Sequence, residues 1–152
     1  MIPSFLQDLF KNQQYNPNNF FLIAGPCVVE SEEIVMEIAD SVSKSCKNLG
    51  IPYVFKASYR KANRTSATSF TGLGDDIGLD LIKKVGTTYN LPTTSDVHAH
   101  EECAMAAEYI DILQIPAFLC RQTDLLLAAA ATNKIVNVKK GQFLSGDRKS
   151  VV

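Results

Sequence analysis

The feature that most constrains this chain is the alternation of short apolar runs with helical patterns. Five runs rich in β-branched and aromatic residues are too short for helices and too continuous for strands with one solvent-facing side. We therefore predict strands that are buried on both faces. They cover residues 20–25, 52–58, 91–97, 109–115 and 134–140.

Helical patterns fill the intervals between these runs. Ser31 is a good N-cap, Glu32 and Glu33 suit the positive end of a helix dipole, and Gly50 stands where a C-cap belongs. Strands separated by helices pair in parallel through right-handed crossovers, so the chain is predicted to be α/β. Further helices are predicted over residues 75–89, 99–108 and 123–132.

Two architectures fit this order, a doubly wound open sheet and a (β/α)8 TIM barrel. No Gly-x-Gly-x-x-Gly follows a predicted strand, which counts against a dinucleotide-binding sheet. Polar residues instead cluster after every strand, as is typical of a barrel that builds its site at the strand ends. A TIM barrel has about 250 residues in eight units. With 152 residues, the chain is predicted to form an incomplete barrel of about the first five β/α units.

The predicted organisation is an N-terminal extension over 1–19, the N-terminal part of a single barrel domain over 20–145, and a tail over 146–152. The start lacks the basic and apolar stretches of a secretory signal, and no apolar run reaches the ~20 residues of a membrane helix. We therefore expect a cytoplasmic protein. A net charge of −1 excludes a global field for nucleic acid or membrane, and the four scattered cysteines suggest neither disulfides nor a zinc ribbon.

Residues 56–66 concentrate cationic and hydroxyl side chains after the second predicted strand. Lys56, Arg60, Lys61 and Arg64 can form charge-assisted hydrogen bonds with phosphate or carboxylate. The alternative is a solvated basic turn. Residues 136–143 place Lys139 and Lys140 at another strand end. Two cationic sites of this kind predict a substrate with more than one anionic group.

For other residues that follow the strands, the sequence allows several possible roles. Cys27 is either a small core residue or a metal ligand. Asp96 ends the third predicted strand, where it could accept hydrogen bonds from sugar hydroxyls. His98 could be a ligand or a base, although we favour a structural histidine. Residues 114–118 predict a rigid loop that offers backbone amides, with Phe118 free to contact a neighbour.

Five segments in this order and spacing resemble the 3-deoxy-D-manno-octulosonate 8-phosphate synthases. They are IAGPCVVES, FKASYRKANRTS, SDVH, ILQIPAFLCRQTDLLLAAA and VNVKKGQFL, which span about residues 20–144. The sister family, 3-deoxy-D-arabino-heptulosonate 7-phosphate synthase, shares the Gly-Pro-Cys element and the barrel. It has Lys-Pro-Arg-Thr where this chain has Lys-Ala-Asn-Arg-Thr, and it lacks the IPAFLCRQTDL segment, so it is the alternative.

The resemblance implies an enzyme that condenses phosphoenolpyruvate with D-arabinose 5-phosphate and releases phosphate, in lipopolysaccharide (Kdo) biosynthesis. Carbon 3 of phosphoenolpyruvate attacks the sugar aldehyde, water adds at carbon 2, and phosphate leaves by C–O cleavage. A Schiff base on Lys56 or Lys139 is the competing mechanism. The resemblance also implies a homotetramer.

The resemblance assigns roles to individual residues, with Lys56, Lys61, Lys139 and Asp96 as the catalytic set. Thr65 stands where the family usually has Ser, and Arg60 stands where it often has Asp, which leaves the role of Arg60 open. Phe118 and Arg121 are expected to approach the site of an adjacent subunit. The expected ligands of phosphoenolpyruvate are Lys56, Ser58, Lys61, Gln114, the Ala117 amide and Lys139. The expected ligands of arabinose 5-phosphate are Asn63, Arg64 and Thr65 for the phosphate, and Asp96 for the hydroxyls.

The resemblance implies a specific role for Cys27. Metal-dependent members have Cys at this position and metal-independent members have Asn, so Cys27 is expected to bind a divalent ion. A thiolate favours Zn²⁺ or Fe²⁺, with Mn²⁺ a further option. The other expected ligands, a His, a Glu and an Asp, belong to later strands of the family pattern.

The tail over 146–152 departs from the family pattern, in which Ala-Pro-Trp-Asp or similar is expected. Asp-Arg-Lys-Ser-Val-Val is what one reading frame of a common sequencing adapter encodes, so we interpret the tail as an artefact. A frameshift or a divergent C-terminus is the alternative. A polypeptide with only five units is expected to be inactive alone, and an anion-binding half-barrel is the remaining option.

Overall fold

Five parallel strands alternate with helices in the computed structural model, which describes residues 4–62, 68 and 70–145. The strands are β1 (Leu22–Ala24), β2 (Tyr53–Lys56), β3 (Thr93–Asp96), β4 (Ile112–Ile115) and β5 (Ile135–Val138). The helices are α1 (Ser4–Leu9), α2 (Glu32–Leu49), α3 (Asp75–Tyr89), α4 (Glu102–Ala107) and α5 (Thr123–Ala131), with a 3₁₀ turn at Ala117–Leu119. The positions of the predicted strands and helices are confirmed, and α1 is an addition. Burial on both faces is wrong for β1 and β5, whose residues are only partly buried because these two strands form the edges of the described sheet.

The strands are hydrogen-bonded in the order β1-β2-β3-β4-β5, and every neighbouring pair is parallel. In a TIM barrel, each strand lies next to the strand that precedes it in the chain, so the order of strands in the sheet follows the order in the sequence. In a doubly wound sheet, the strand order reverses at a switch point. The described residues therefore form an open sheet of five β/α units. This confirms the predicted α/β fold and the incomplete barrel.

Alternate strand residues face the helices and form the main core. Tyr53, Phe55, Leu113 and Ile115 have almost no exposed surface and pack with residues of the helices, such as Leu79. Each large apolar side chain buried in this way contributes about 1.5–3 kcal/mol to folding. The helices thus cover one face of the sheet and leave the opposite face for other contacts.

The face opposite the helices is apolar at the amino ends of the strands and polar at their carboxyl ends. At the amino ends, Phe10 is buried against Val54 and Ile112, just beyond the end of α1. Gln13 fixes the same segment, because its side-chain amide accepts from the Tyr53 N–H at 2.7 Å and donates to the Tyr53 carbonyl at 2.9 Å. The N-terminal segment therefore covers the amino ends and leaves the carboxyl ends accessible.

Helix α2 begins and ends as the sequence predicts. The Ser31 hydroxyl accepts a hydrogen bond from the Ile34 amide at 3.2 Å, and Gly50 has a left-handed φ of 66° at the C-cap.

A helix that spans a membrane needs both sufficient length and sufficient hydropathy. No helix in the described part of the chain meets both requirements.

Among the glycines that the structure describes, Gly25 tolerates a side chain least. Its φ is 152°, and a Cβ placed there would lie 2.0 Å from the Lys56 carbonyl oxygen, because β1 and β2 approach closely at this point. We expect Gly25→Ala to lower the free energy of unfolding by more than about 3 kcal/mol, as measured by denaturant titration. Gly50→Ala is the matched control. Its Cβ would meet nothing within 4 Å, so only the left-handed backbone penalty of about 1 kcal/mol is expected. Equal losses in the two variants would contradict the predicted clash.

Candidate active site

A cleft of about 300 Å³ lies at the carboxyl ends of the strands. The loops that follow all five strands contribute to its walls, which is the usual position of a TIM-barrel active site. Of the residues predicted to carry the chemistry, the structure brings seven together here: Cys27, Lys56, Ser58, Lys61, Asp96, Ala117 and Lys139. Arg60, His98 and Phe118 also line the cleft.

The Asp96 carboxylate is the centre of the hydrogen-bond network in the cleft. Its Oδ2 accepts from Lys56 Nζ at 2.9 Å and from Ser58 Oγ at 2.7 Å, and its Oδ1 accepts from Gln114 Nε2 at 2.6 Å. Lys56 Nζ also lies 3.2 Å from Ser58 Oγ. Asp96 and Gln114 are direct partners in the register of β3 and β4. Lys56 ends β2 and Ser58 follows it, so both reach Asp96 from the neighbouring strand end.

Opposing effects act on the ionisation of Asp96. Burial opposes the charged form, but the hydrogen bond from Gln114 and the charge of Lys56 outweigh it and hold the pKa of Asp96 below its ordinary value. Asp96 is therefore a carboxylate at neutral pH. A carboxylate has about four acceptor sites, and three donors from the protein leave room for about one more.

Gln114 lies beneath the cleft rather than on its wall. It is 2% exposed, its amide donates to Asp96, and its Oε1 accepts from Asn137 Nδ2 at 2.9 Å. The sequence analysis did not single out Asn137. The sequence did contain a signal for Asn137. It is a polar residue inside the run Ile-Val-Asn-Val, and it faces the same side of the sheet as Lys139, which lies two residues later. Asn137 thus holds the Gln114 amide, which in turn orients Asp96.

Three lysines give the cleft its positive charge. Lys56 is mostly buried and paired with Asp96, whereas Lys61 and Lys139 follow β2 and β5 on the cleft wall. Lys140 behaves differently, since its ammonium donates to the carbonyls of Gly141 and Leu144 in its own turn. The geometry therefore supports one of the two adjacent lysines, Lys139, as a contact for an anion.

The loop after β4 brings Ala117 to the cleft and leaves its aromatic neighbour exposed. Ala117 begins a 3₁₀ turn, and the first amides of such a turn have no partner within it. Phe118 is 73% exposed although its ring lies at the cleft. Arg121 is exposed and does not line the cleft. Within one chain, the structure therefore does not bring Arg121 to the other predicted residues.

Cys27 is a free, exposed thiol in the cleft. The backbone around it is fixed by pairing between the loops after β1 and β2, where Val28 bridges Ser58 and the Val29 amide donates to the Ser58 carbonyl at 3.0 Å. The described residues contain no group of three or more His, Cys, Asp or Glu side chains that would hold a metal ion. An accessible thiol fits one position in a coordination shell, and the other ligands would have to come from elsewhere.

A second charged cluster borders the cleft around Glu102. This carboxylate in the first turn of α4 accepts from the Tyr59 hydroxyl, from the Arg60 guanidinium and, at 2.9 Å, from the His98 amide. Burial opposes its ionisation, but the hydrogen bonds from Tyr59 and the His98 amide outweigh this effect and lower the pKa of Glu102. Neither Glu102 nor Tyr59 was among the predicted site residues. Glu102 lies outside the basic stretch and the predicted strand ends, whereas Tyr59 lies within residues 56–66 between side chains whose charge drew the prediction.

Burial, rather than the neighbouring carboxylates, determines the state of His98. Burial lowers the pKa of His98 despite the nearby carboxylates of Glu102 and Asp96, so the imidazole is neutral at pH 7. Its Nδ1 lies 3.5 Å from Glu102 Oε2.

Some predicted residues lie outside the described part of the chain. Asn63, Arg64 and Thr65, the predicted ligands of the sugar phosphate, are among them, as is the tail over 146–152. Their roles stay predictions.

Comparison with known proteins gives two results. The model of the DAHP synthetase I family matches residues 12–149. The 2-dehydro-3-deoxyphosphooctonate aldolase of Koribacter versatilis is 55% identical over 135 residues, which are 89% of this chain and 49% of that protein. The proteins of the same name from Trichlorobacter lovleyi and Fusobacterium nucleatum are 55% and 53% identical over 86% and 88% of this chain and 48% of each relative. The chain spans about half the length of the curated relatives it matches.

Proposed function

Because this chain belongs to the DAHP synthetase I family, we propose that the protein carrying it is a 2-dehydro-3-deoxyphosphooctonate aldolase, that is, a 3-deoxy-D-manno-octulosonate 8-phosphate synthase. It condenses phosphoenolpyruvate with D-arabinose 5-phosphate and releases phosphate in the cytoplasm. The observation that carries the proposal is the name shared by relatives at 50–55% identity. The cationic cleft at the strand ends supports it, because both substrates are anions.

The three lysines suit the recognition of phosphoenolpyruvate. Its carboxylate and phosphate need cations on more than one side, and Lys56, Lys61 and Lys139 reach the cleft from two separate strand ends, β2 and β5. Ser58 and the Ala117 amide add neutral donors on the same wall. Fixed donors of this kind stabilise charge that develops at carbon 2 and hold the two reactants together.

The pairing of Lys56 favours the enol-phosphate mechanism over a Schiff base. A lysine attacks a carbonyl only as the neutral amine, whereas Lys56 Nζ forms an ion pair with the Asp96 carboxylate at 2.9 Å in a mostly buried position. The same Nζ also lies within hydrogen-bond distance of Ser58 Oγ, so two protein groups hold it in place. Lys56 therefore acts as a fixed positive charge, and Asp96 keeps about one acceptor site for a sugar hydroxyl.

Cys27 is proposed as one ligand of a divalent metal ion, with Zn²⁺ or Fe²⁺ preferred and Mn²⁺ an option. The thiol is accessible and lies on the same cleft as Lys56 and Asp96, and a thiolate is a soft ligand. The remaining ligands would lie outside the described residues. When bound, such an ion supplies Lewis-acid chemistry next to the substrates.

The exposed ring of Phe118 supports a subunit contact at the cleft. A large aromatic side chain that is 73% exposed is typical of a protein interface. We propose that Phe118 and Arg121 contact the neighbouring subunit of a homotetramer, whose size light scattering would report.

The substrate pair tests the proposed function directly. We expect the full-length protein to release phosphate from phosphoenolpyruvate only when a sugar phosphate is present. The kcat/KM for arabinose 5-phosphate is expected to exceed that for erythrose 4-phosphate by at least about 100-fold, because a site built for a substrate hydroxyl rejects analogues that lack it. Phosphate release and product formation are the measurements.

The controls separate the alternatives. Preference for erythrose 4-phosphate would indicate the sister reaction. Binding of phosphoenolpyruvate by the 152-residue chain without turnover with either sugar would indicate an anion-binding half-barrel. Borohydride added during turnover should leave no covalent adduct, and a trapped lysine would restore the Schiff-base mechanism.

A further inference from the structure

Arg60 does not point a free positive charge into the cleft. Its guanidinium pairs with Glu102 of α4 and, at 3.6 Å, with Asp75 of α3. It also lies 5.8 Å from the centre of the Tyr59 ring. Two carboxylates compensate the single charge of Arg60, so it adds little net attraction for an anion. The arrangement joins the exit of β2 to the first turns of two helices.

The backbone next to Arg60 is packed closely against the start of α3. The Lys61 amide donates to the Thr71 carbonyl at 2.8 Å. A Cβ on Gly72 would lie 2.6 Å from the Tyr59 carbonyl oxygen, and one on Gly78 would lie 2.9 Å from Tyr59 Cβ. Tyr59 and Lys61 are thus fixed on both sides of Arg60, and a lost ion pair at Arg60 would loosen the segment that carries Lys61.

Glu102 connects the same segment to β3. It accepts from the Tyr59 hydroxyl and from the His98 amide, and His98 is two residues beyond Asp96. One carboxylate therefore holds the exits of β2 and β3, which carry Lys61 and Asp96 respectively. The Glu102 side chain is 14% exposed, so solvent replaces its partners poorly.

We propose that Arg60 and Glu102 form a positioning pair for the anion site, which holds Lys61 at the geometry needed to bind the substrate carboxylate or phosphate. Arg60 is a positioning residue and not a ligand. The inference rests on the proposed function, because the anion is taken to be phosphoenolpyruvate. It also gives a role to an arginine that stands where the resembling family often has Asp.

The test compares Arg60→Met, Arg60→Lys, Glu102→Gln and the double variant Arg60→Met/Glu102→Gln in the full-length protein. We expect Arg60→Met and Glu102→Gln each to raise the KM for phosphoenolpyruvate about tenfold, with kcat within about twofold. The double variant should be no worse than the worse single variant. Arg60→Lys should restore part of the loss, because one ion pair can re-form.

Hydrogen exchange of the Lys61 amide is the independent measurement. In Arg60→Met, exchange at this amide is expected to accelerate about tenfold while exchange at the amides of β4 stays near that of the parent, because the loss is local. The matched control is the exposed ion pair between Lys84 and Glu32 at 2.6 Å, which also joins two helices. Lys84→Met and Glu32→Gln should change neither the KM nor the exchange of Lys61.

Two results would overturn the proposal. If Arg60→Met raises the KM while Glu102→Gln does not, Arg60 binds the anion directly. If exchange at Lys61 is the same in parent and variants, the pair does not position that residue. Failure of the proposed function can be told apart from failure of the positioning proposal. If the parent protein shows no turnover, the positioning proposal is still tested by hydrogen exchange at the Lys61 amide and by calorimetric binding of inorganic phosphate.

Discussion

Asp96→Asn is expected to lower kcat/KM by about 100-fold or more and to lower the free energy of unfolding by about 3 kcal/mol. The substitution keeps the size of the side chain but removes the charge that three donors share. Lys56 would then be a mostly buried ammonium without its counterion, since the Lys56 and Asp96 side chains are 19% and 15% exposed. The kinetic loss follows because Lys56 and any sugar hydroxyl lose their common acceptor.

Steady-state kinetics and urea titration of the same preparations measure the two effects. Asp111→Asn is the control, because Asp111 also accepts two hydrogen bonds, from the Thr93 amide and hydroxyl, at the other end of β3. That variant should lose some stability and keep its kinetic constants. Unchanged kcat/KM in Asp96→Asn would remove Asp96 from the site.

The pH dependence of stability provides a second measure of Asp96. Its pKa is lowered in the folded protein, so its carboxylate contributes stability that is present above the unfolded pKa of about 4. That contribution is lost as the pH falls toward the folded pKa. The difference in unfolding free energy between parent and Asp96→Asn should therefore shrink as the pH is lowered from 7 into this range.

If Cys27 holds the proposed divalent ion, Cys27→Ala is expected to abolish binding of that ion and to lower turnover by at least about 100-fold, because loss of a metal ligand removes most of the affinity of such a site. Metal content per chain, measured by atomic emission, is the first readout. Treatment of the parent protein with a chelator should reproduce the kinetic loss, and Zn²⁺, Fe²⁺ or Mn²⁺ should restore activity.

Cys120→Ala is the matched control for the thiol. Cys120 also forms no disulfide bond, but its side chain is buried and does not line the cleft. It should keep its metal content and lose only a little stability. Full metal content and chelator-resistant turnover in Cys27→Ala would show that the reaction needs no ion at this position.

The strands and four helices were predictable because their signals are local. Short apolar runs, a capping serine at Ser31 and a left-handed glycine at Gly50 are all readable in a few consecutive residues. Helix α1 was not, since its six residues are fixed by burial of Phe10 against Val54 and Ile112, which are distant in sequence. The end of the sheet at which the polar residues collect was predictable from the parallel strand order.

The contacts within the site were less predictable than its position. A sequence shows that Asp96 ends a strand, but not that Lys56, Ser58 and Gln114 all donate to it. Arg60 looked like part of a basic anion-binding stretch, and only the fold shows that Glu102 and Asp75 compensate its charge. Asn137 was overlooked because an amide in a β-branched strand is informative only when the facing residue is known.

The agreement between strand order and chain order has a consequence for synthesis of the protein. Each strand from β2 onward pairs with the strand made before it, so a β/α unit emerging from the ribosome finds its partner already present. Contacts between successive units keep the sequence separation moderate, and chains with such contacts fold faster than those that must wait for distant segments. We expect nascent chains to gain protease resistance stepwise, one unit at a time.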